Sequence, residues 1–458
     1  MYFDKTKKIH FIGIGGIGTS AIAKYFLNLG KDITGSDLYN SDLVKKLRRQ
    51  GITIFNSHES SNVGKNVDLI IYSPAVPEDN PERRAAAELG IEQFSYPEIL
   101  GELSRKYKTI AVSGTNGKST TTAMIGKIFT AAGLDPTVIV GTQVPGFDGN
   151  LRLGKSDLLI IEACEWRAHM LHLSPQTVVL TNIEKDHLDF YKDLDDIRYH
   201  FQKFVNLLPL DGFLALNGDD ENLTKLISQK GYGVKTWGIL NEQVDYLADD
   251  IKTSAGQQNF SVAQDDFTLK IPGKYNIYNA LAALTVAKHF NIDSEIIKKS
   301  LAEFSSTWRR FELIGAVKGK AGTLVVSDYA HHPEALKGAL KAAKEFYPGK
   351  RLVAVFQPHH FDRTSKLFDD FIKSFNNADL VIINEIYDVA GRQQDGVRNI
   401  TGKDLAAEIQ KVNPSKEIIY SPNLAETTKR LLKKIKTNDL ILIIGAGDID
   451  EVAREIIK

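Results

Sequence analysis

The chain has 458 residues, 43% of them hydrophobic and 25% charged, with 57 basic and 57 acidic side chains. That size allows about two to four domains of ordinary globular composition, and the balanced charge offers neither a basic face for nucleic acid nor an acidic tail. The single cysteine, Cys164, excludes a disulfide framework and a cysteine zinc site, no apolar run reaches the ~18 residues of a membrane span, and a start without signal-peptide layout leads to the expectation of a cytoplasmic protein.

In chain order, Lys8–Ile14 reads as a strand and runs into Gly13-Ile14-Gly15-Gly16-Ile17-Gly18. Ser20–Leu29 reads as a helix, and Asp32–Gly35 as a second strand ending at Ser36-Asp37. This is a Rossmann-type opening: glycines permit a tight turn and close approach to a diphosphate, and an acid follows ~20 residues on. Taken alone it fits an NAD(P)-dependent dehydrogenase. Such a loop also cradles other nucleotide diphosphates, with Asp37 reading a ribose or a base. A further strand, Asp68–Tyr72, ends at Ser73, and His58 lies in a polar stretch. Residues 1–105 read as one open α/β domain.

The stretch Lys108–Phe129 carries the sharpest signal. Thr109–Val112 reads as a buried strand and Thr122–Phe129 as a helix, separated by Gly114-Thr115-Asn116-Gly117-Lys118-Ser119 and three threonines beginning at Thr120. A glycine turn from a strand into a helix start aims unpaired N–H groups at one point, where an anion is favoured. Lys118 adds a charge for a terminal phosphate, and the Ser119 hydroxyl suits Mg²⁺. The spacing is GxxGKS, shorter than the GxxxxGKS form. Next, Asp157–Ile161 reads as a strand ending at Glu162, and Thr177–Leu180 as another ending in Thr181–His187. In a parallel sheet these ends share an edge, so Glu162 and the Asp186/His187 pair should lie near Ser119 as ligands for Mg²⁺ or Mn²⁺. Cys164 has no basic sequence neighbour to activate it and reads as a packed residue. Asn276 and Asn279 precede an alanine-rich helix, Ala280–His289, and read as caps or as readers of an adenine edge.

From Thr323 strand and helix alternate again: Leu324–Ser327, Leu352–Phe356, Leu380–Ile383, Ile418–Tyr420 and Leu440–Ile444, with helices such as Glu334–Phe346 between them. Polar clusters fall at strand ends, Asp328–Pro333, Gln357–Thr364 and Gly445–Asp448. Their histidines and Arg363 suggest a carboxylate pocket.

The order of these motifs resembles the Mur ligases, the ATP-dependent amino-acid-adding enzymes of peptidoglycan synthesis, over nearly the whole chain. The residues that carry the resemblance are Gly13–Gly18, Ser73-Pro74-Ala75-Val76 with Asp79–Glu82, Asn182–His187, Arg309-Arg310-Phe311, Asp328–Pro333 and Phe356–His359. The branch it is most similar to joins L-alanine to UDP-N-acetylmuramate. The resemblance implies an α/β fold of three domains: residues 1–105, Rossmann-like, for the UDP-sugar; 106–312, with the phosphate loop, for ATP; and 313–458, Rossmann-like, for the amino acid. It implies that Gly15, Gly16, Ile17 and Gly18, with Ser36, Asp37, His58 and Ser73, hold the UDP-sugar. Gly114, Thr115, Asn116, Gly117, Lys118, Ser119 and Thr120 would hold the phosphates of ATP, Asn279 its adenine, and Arg310 and Asp328 would reach the nucleotide. Ser119, Glu162 and His187 would bind Mg²⁺ (or Mn²⁺), and His331, His359 and Arg363 the amino acid. Lys118, Glu162, His187, Arg310 and His331 form the implied catalytic set.

Several members of the family carry a carbamoylated lysine beyond the motif histidine; that position here is Phe201, with Lys203 off register, as in the alanine-adding branch. Three departures stand out. The loop has Asn116 and Ser119 where that branch has His and Thr. Glu162-Ala163-Cys164-Glu165-Trp166-Arg167 replaces Glu-Ala-Asp-Glu-Ser-Asp, and His360 replaces an arginine. The alternatives are a relative adding another amino acid or a recycled tripeptide, and the dehydrogenase. A monomer or homodimer is expected.

Overall fold

Buried apolar runs alternate with amphipathic helices along the chain, and the strands they form lie mostly parallel in three sheets. The computed structural model describes residues 5–188, 190–227, 231–254, 256–387 and 400–458. They divide into two units, Met1–Ala248 with Tyr278–Ser300, and Asp249–Ile277 with Leu301–Lys458. Among the described residues no helix is long and apolar enough to cross a membrane.

In the first unit, β1 (Lys8–Ile12), β2 (Asp32–Ser36), β3 (Thr53–Phe55), β4 (Leu69–Tyr72) and β5 (Glu92–Ser95) form a parallel sheet in the order β3-β2-β1-β4-β5. The order reverses beside β1, so the glycine loop that follows β1 lies at the crevice where doubly wound sheets take their ligands. β1 stops at Ile12 rather than Ile14, because the backbone N–H groups of Gly13 and Ile14 both turn onto the Ser36 carbonyl. The helix after the loop begins at Ile17, ahead of the expected Ser20.

The same unit holds β6 (Lys108–Ser113), β7 (Thr137–Ile139), β8 (Leu151–Arg152), β9 (Leu158–Glu162), β10 (Thr177–Leu180), β11 (Phe213–Asn217) and β12 (Gly233–Gly238), in the order β12-β11-β10-β6-β9-β7-β8. Only the β7–β8 pairing is antiparallel. β6 is flanked by β9 and β10, so the Gly114–Ser119 loop, Glu162 and the Thr181–His187 segment leave the sheet along one edge. One apolar cluster joins Phe11 and Phe26 to Ile161, Leu180 and Phe201. Polar bonds reinforce it. Lys24 is buried and bonds the Asp148 carbonyl, while Lys46 reaches the Asp148 carboxylate at 2.7 Å. Burial outweighs the nearby Asp148 and brings the Lys24 ammonium down to about 8. Asn150, also buried, donates to Ile17 O and to Ser20 Oγ.

In the second unit β14 (Gln257–Val262) and β15 (Asp265–Leu269) pair as an antiparallel hairpin, preceded by the later residues of β13 (Tyr246–Ser254). The other sheet, in the order β16-β17-β21-β18-β19-β20, contains β16 (Glu312–Ala316), β17 (Leu324–Asp328), β18 (Arg351–Phe356), β19 (Leu380–Asn384), β20 (Glu417–Ser421) and β21 (Asp439–Ile444). All but the edge strand β16 are parallel, and β16 runs antiparallel to β17. The sequence reading foresees the parallel strands to within two residues but not β16, whose alternation is broken by a bulge between Leu313 and Gly315.

Glu82 is a carboxylate inside the first sheet's domain with no exposed surface. It accepts from Ser36 Oγ at 2.6 Å and Asn62 Nδ2 at 2.8 Å, and contacts His58 Nδ1 at 2.7 Å and His10 Nε2 at 3.3 Å. Burial works to raise its pKa, but the bonds from His10, Ser36 and Asn62 prevail and hold it below the usual carboxylate range. An acid lowered in this way stabilises the fold above its unfolded pKa of about 4.3 and loses that contribution as pH falls through the folded value. Glu82→Gln is therefore expected to cost about 3 kcal/mol at pH 7. The gap to wild type should narrow below about pH 4, as read by urea denaturation at both pH values.

Candidate active site

β6 delivers the chain into Gly114-Thr115-Asn116-Gly117, and the helix Lys118–Ala131 starts at once. The helix begins ahead of the expected Thr122 because the polar Thr122 bonds within it, its hydroxyl donating to the Lys118 carbonyl at 2.8 Å. Gly117 is the N-cap, with φ of 84°. A side chain there is barred by that conformation and by Asn279 Oδ1, which occupies the place of a Cβ. Asn279 is buried and accepts from Thr121 Oγ1 at 3.2 Å. It supports the loop from behind and is not a helix cap, because its helix begins at Lys274. Asn276 lies in the first turn of that helix and donates to the Pro272 carbonyl at 2.7 Å.

The segment after β10 is laced to the loop. Thr115 N donates to Asn182 O at 2.9 Å, Asn116 N to Asn182 Oδ1 at 2.8 Å, and Asn182 Nδ2 to Asn116 O at 3.0 Å. Asp220 fixes the segment from its far side, accepting from Ile183 N at 2.7 Å. The lacing carries His187 to the mouth of the loop with φ of 52°.

Lys118 Nζ donates to Gly114 O at 2.6 Å and Thr115 O at 2.9 Å, and stands 2.8 Å from Glu165 Oε2. The other Glu165 oxygen lies 3.6 Å from His187 Nε2. Burial works to raise the Glu165 carboxyl; the Lys118 charge and the His187 contact outweigh it and leave it below its usual range. The same contact with Glu165 raises His187 against its partial burial. Ligand atoms of Glu165, Asp186 and His187 lie within 4.8 Å of one another. Glu162, the expected strand-end acid, accepts from Gly141 N at 2.7 Å through Oε2. Ser119 and Thr120 sit in the first turn of the helix. Sequence reading did not single out Glu165; its signal was a second carboxylate just past a strand end that faces the loop lysine. Burial pushes the Cys164 thiol up to about 11, so it is a packed thiol. Met170 is core, and half-buried Trp166 lies under the Arg167 guanidinium at 4.7 Å.

At the first glycine loop, Gly15 N donates to Asp37 Oδ2 at 2.8 Å, and Tyr39 N to the other Asp37 oxygen at 2.9 Å. Asp37 thus shapes the loop. Gly16 caps the helix that starts at Ile17-Gly18. Ser36 and His58 belong to the Glu82 network, and Ser73 N bonds Ile12 O beside Gly13.

In the second unit, Asp328 Oδ1 and Oδ2 accept from Ala330 N at 2.8 Å and Phe311 N at 2.7 Å, and burial raises its carboxyl. Arg309 is buried on the carbonyls of Gly445 and Gly447, whereas Arg310 is exposed beside the Tyr329 ring. His331 and His359 come together with ring centroids 6.3 Å apart, on loops after β17 and β18. Burial lowers His331 to about 4, and the nearby charges of Arg363 and Arg310 act in the same direction. His360 takes φ of 67° as its backbone N–H turns onto Tyr387 O.

Three family profiles match consecutive stretches: a Mur ligase family catalytic domain over residues 8–108, a Mur ligase middle domain over 112–287, and a Mur ligase glutamate ligase domain over 309–447. A UDP-N-acetylmuramate–L-alanine ligase of Caldanaerobacter subterraneus is 41% identical over 463 residues, covering 99% of this chain and 98% of the relative. One of Clostridium novyi is 42% identical over 456 residues, covering 98% and 97%. The crystal structure of a UDP-N-acetylmuramate–alanine ligase from Thermotoga maritima superimposes with a TM-score of 0.84 at 29% identity, covering 98% of each chain. These matches do not favour the dehydrogenase or tripeptide-adding readings.

Gly117→Ala should force a strained φ and a clash with Asn279 at once, costing about 1–3 kcal/mol of stability. Calorimetric titration with a non-hydrolysable ATP analogue should show affinity lowered on the order of 10-fold or more, as expected when the loop N–H groups lose alignment.

Proposed function

The chain belongs to the Mur ligase family, and from that premise we propose that it joins L-alanine to the lactyl carboxylate of UDP-N-acetylmuramate, releasing ADP and phosphate, in peptidoglycan precursor synthesis. The observation that carries the reading is end-to-end similarity, at 41% identity, to a relative of that name. Residues 1–105 would hold the UDP-sugar, 106–312 ATP and 313–458 the amino acid, in the cytoplasm.

The reaction is carboxylate activation followed by amine attack. The lactyl carboxylate attacks the γ-phosphorus in line, the bond to ADP breaks, and an acyl phosphate forms. The amine of L-alanine then attacks the acyl carbon, and inorganic phosphate leaves with the C–O electron pair. Lys118, with the N–H groups of the loop, stabilises charge on the transferring group. A triphosphate competes with Glu165 for Lys118. The amine must shed a proton to attack, and His359, solvent or His331 would take it. The Nδ1–H of His331 donates to the Tyr329 carbonyl at 2.9 Å, leaving Nε2 with the lone pair. Burial lowers this ring to about 4, so it is neutral at physiological pH but a weak base. His359 and Arg363 would orient the amino acid, Arg363 through its carboxylate.

Glu165, Asp186 and His187 offer two carboxylates and an imidazole close together, a donor set that accepts Mg²⁺ or Mn²⁺, and Ser119 and Glu162 would complete the binding. Bound there, such a cation neutralises phosphate charge.

Phosphate release should be measured with ATP and UDP-N-acetylmuramate against L-alanine, L-serine, glycine and the tripeptide. The highest kcat/KM is expected for L-alanine, and preference for the tripeptide would overturn the assignment. Lys118→Ala should lower the rate on the order of 10²-fold or more.

A further inference from the structure

In the function proposed above, the two glycine loops of the first unit serve opposite ends of the reaction. A diphosphate at Gly13–Gly18 and a γ-phosphate at Lys118 must be bridged by the sugar and its acid arm. One side chain that no step above uses lies on that route. Tyr96 begins the helix Tyr96–Ser104, directly after β5. Its ring lies flat against Gly18, the last residue of the diphosphate loop: a Cβ on Gly18 would stand 2.5 Å from Tyr96 Cζ. At the same time the phenol lies within electrostatic reach of the Glu162 carboxylate, at the end of β9. Tyr96 therefore spans the interval between the diphosphate loop and the edge of the central sheet.

The side chain is held there from both directions. A capping box fixes its helix start, with Ser95 N and Ser95 Oγ donating to Glu98 Oε2 at 2.7 and 2.6 Å. Farther along, Gly101 lets the helix close onto the turn Trp166–His172, where the His172 carbonyl fills the place of a Cβ. The Tyr96 hydroxyl makes no hydrogen bond among the described residues. A fixed, half-buried phenol on the substrate route, with its donor unspent, is suited to meet an acceptor that arrives with the ligand.

We propose that Tyr96 is a specificity-determining residue, its ring packing on the first loop and its hydroxyl donating to an oxygen of the acid-bearing sugar between the diphosphate and the lactyl carboxylate. This rests on the function proposed above. It makes Tyr96 a reader of the sugar and not of the nucleotide: UDP alone ends at the loop and never reaches the hydroxyl.

Tyr96→Phe keeps the ring on Gly18 and removes only the donor. In titration calorimetry with the full-length protein, affinity for UDP-N-acetylmuramate should fall on the order of 10-fold, the usual loss when a site's polar partner is deleted. Affinity for UDP, KM for ATP and the melting temperature should stay at wild-type values. Equal weakening of UDP and UDP-N-acetylmuramate would mark a merely structural residue and overturn the inference, as would unchanged affinity for both. Wild-type protein that takes up no UDP-N-acetylmuramate would instead overturn the substrate assignment, and this inference with it.

Discussion

An ammonium enclosed by oxygen sets the geometry of the central site. Lys118 is mostly buried, and an amine in that position must be surrounded by acceptors or lose its charge. Its acceptors are two carbonyls of its own loop and one carboxylate, so the loop is bent around the lysine it presents. Glu165 in turn is buried and needs donors, which Lys118 and His187 supply. Lys118 and Glu165 are mutually dependent: removal of either leaves an uncompensated charge in a low-dielectric setting. The Asn116–Asn182 ladder keeps the two loops in register so that this arrangement can form.

The periodic part of the fold was legible in the sequence because parallel strands buried on both faces read as continuous β-branched runs. β10 is an instance, its bounds read as they occur. The glycine turn before Lys118 was legible because a strand, two glycines and a helix start fall in order there. What escaped was tertiary. The positive φ of His187, the turn that places Glu165, and the edge strand β16 depend on neighbours far along the chain. Helix starts were read late at Ile17, Lys118 and Lys274, where glycine, threonine and asparagine continue a helix that their propensities oppose. Asn279 shows the same limit. Its position near a helix entrance suggested a cap, whereas it packs behind Gly117.

The first glycine loop carries a different lesson. Its spacing and following acid are those of a dinucleotide fingerprint, yet Asp37 is engaged by Gly15 N and Tyr39 N, shaping the turn itself. Glycines report that a backbone must come close to something; they do not report what. Beneath that loop a buried carboxylate meets the buried His10 and the partly exposed His58, a costly arrangement that holds β1, the end of β2 and the helix at Pro81 in one relation.

Asn150 and Asp148 belong in sequence to the Lys118-loop half of the first unit, but their partners, Ile17, Ser20, Lys24 and Lys46, lie on the helices Ile17–Asn28 and Asp42–Arg49. The first hundred or so residues are thus not a free-standing cassette. A chimaera that grafts the first hundred or so residues of another ligase onto this body would strand two buried polar groups, Lys24's counterpart and Asn150. Evolution could exchange the module only by carrying the short 148–150 hairpin along with it.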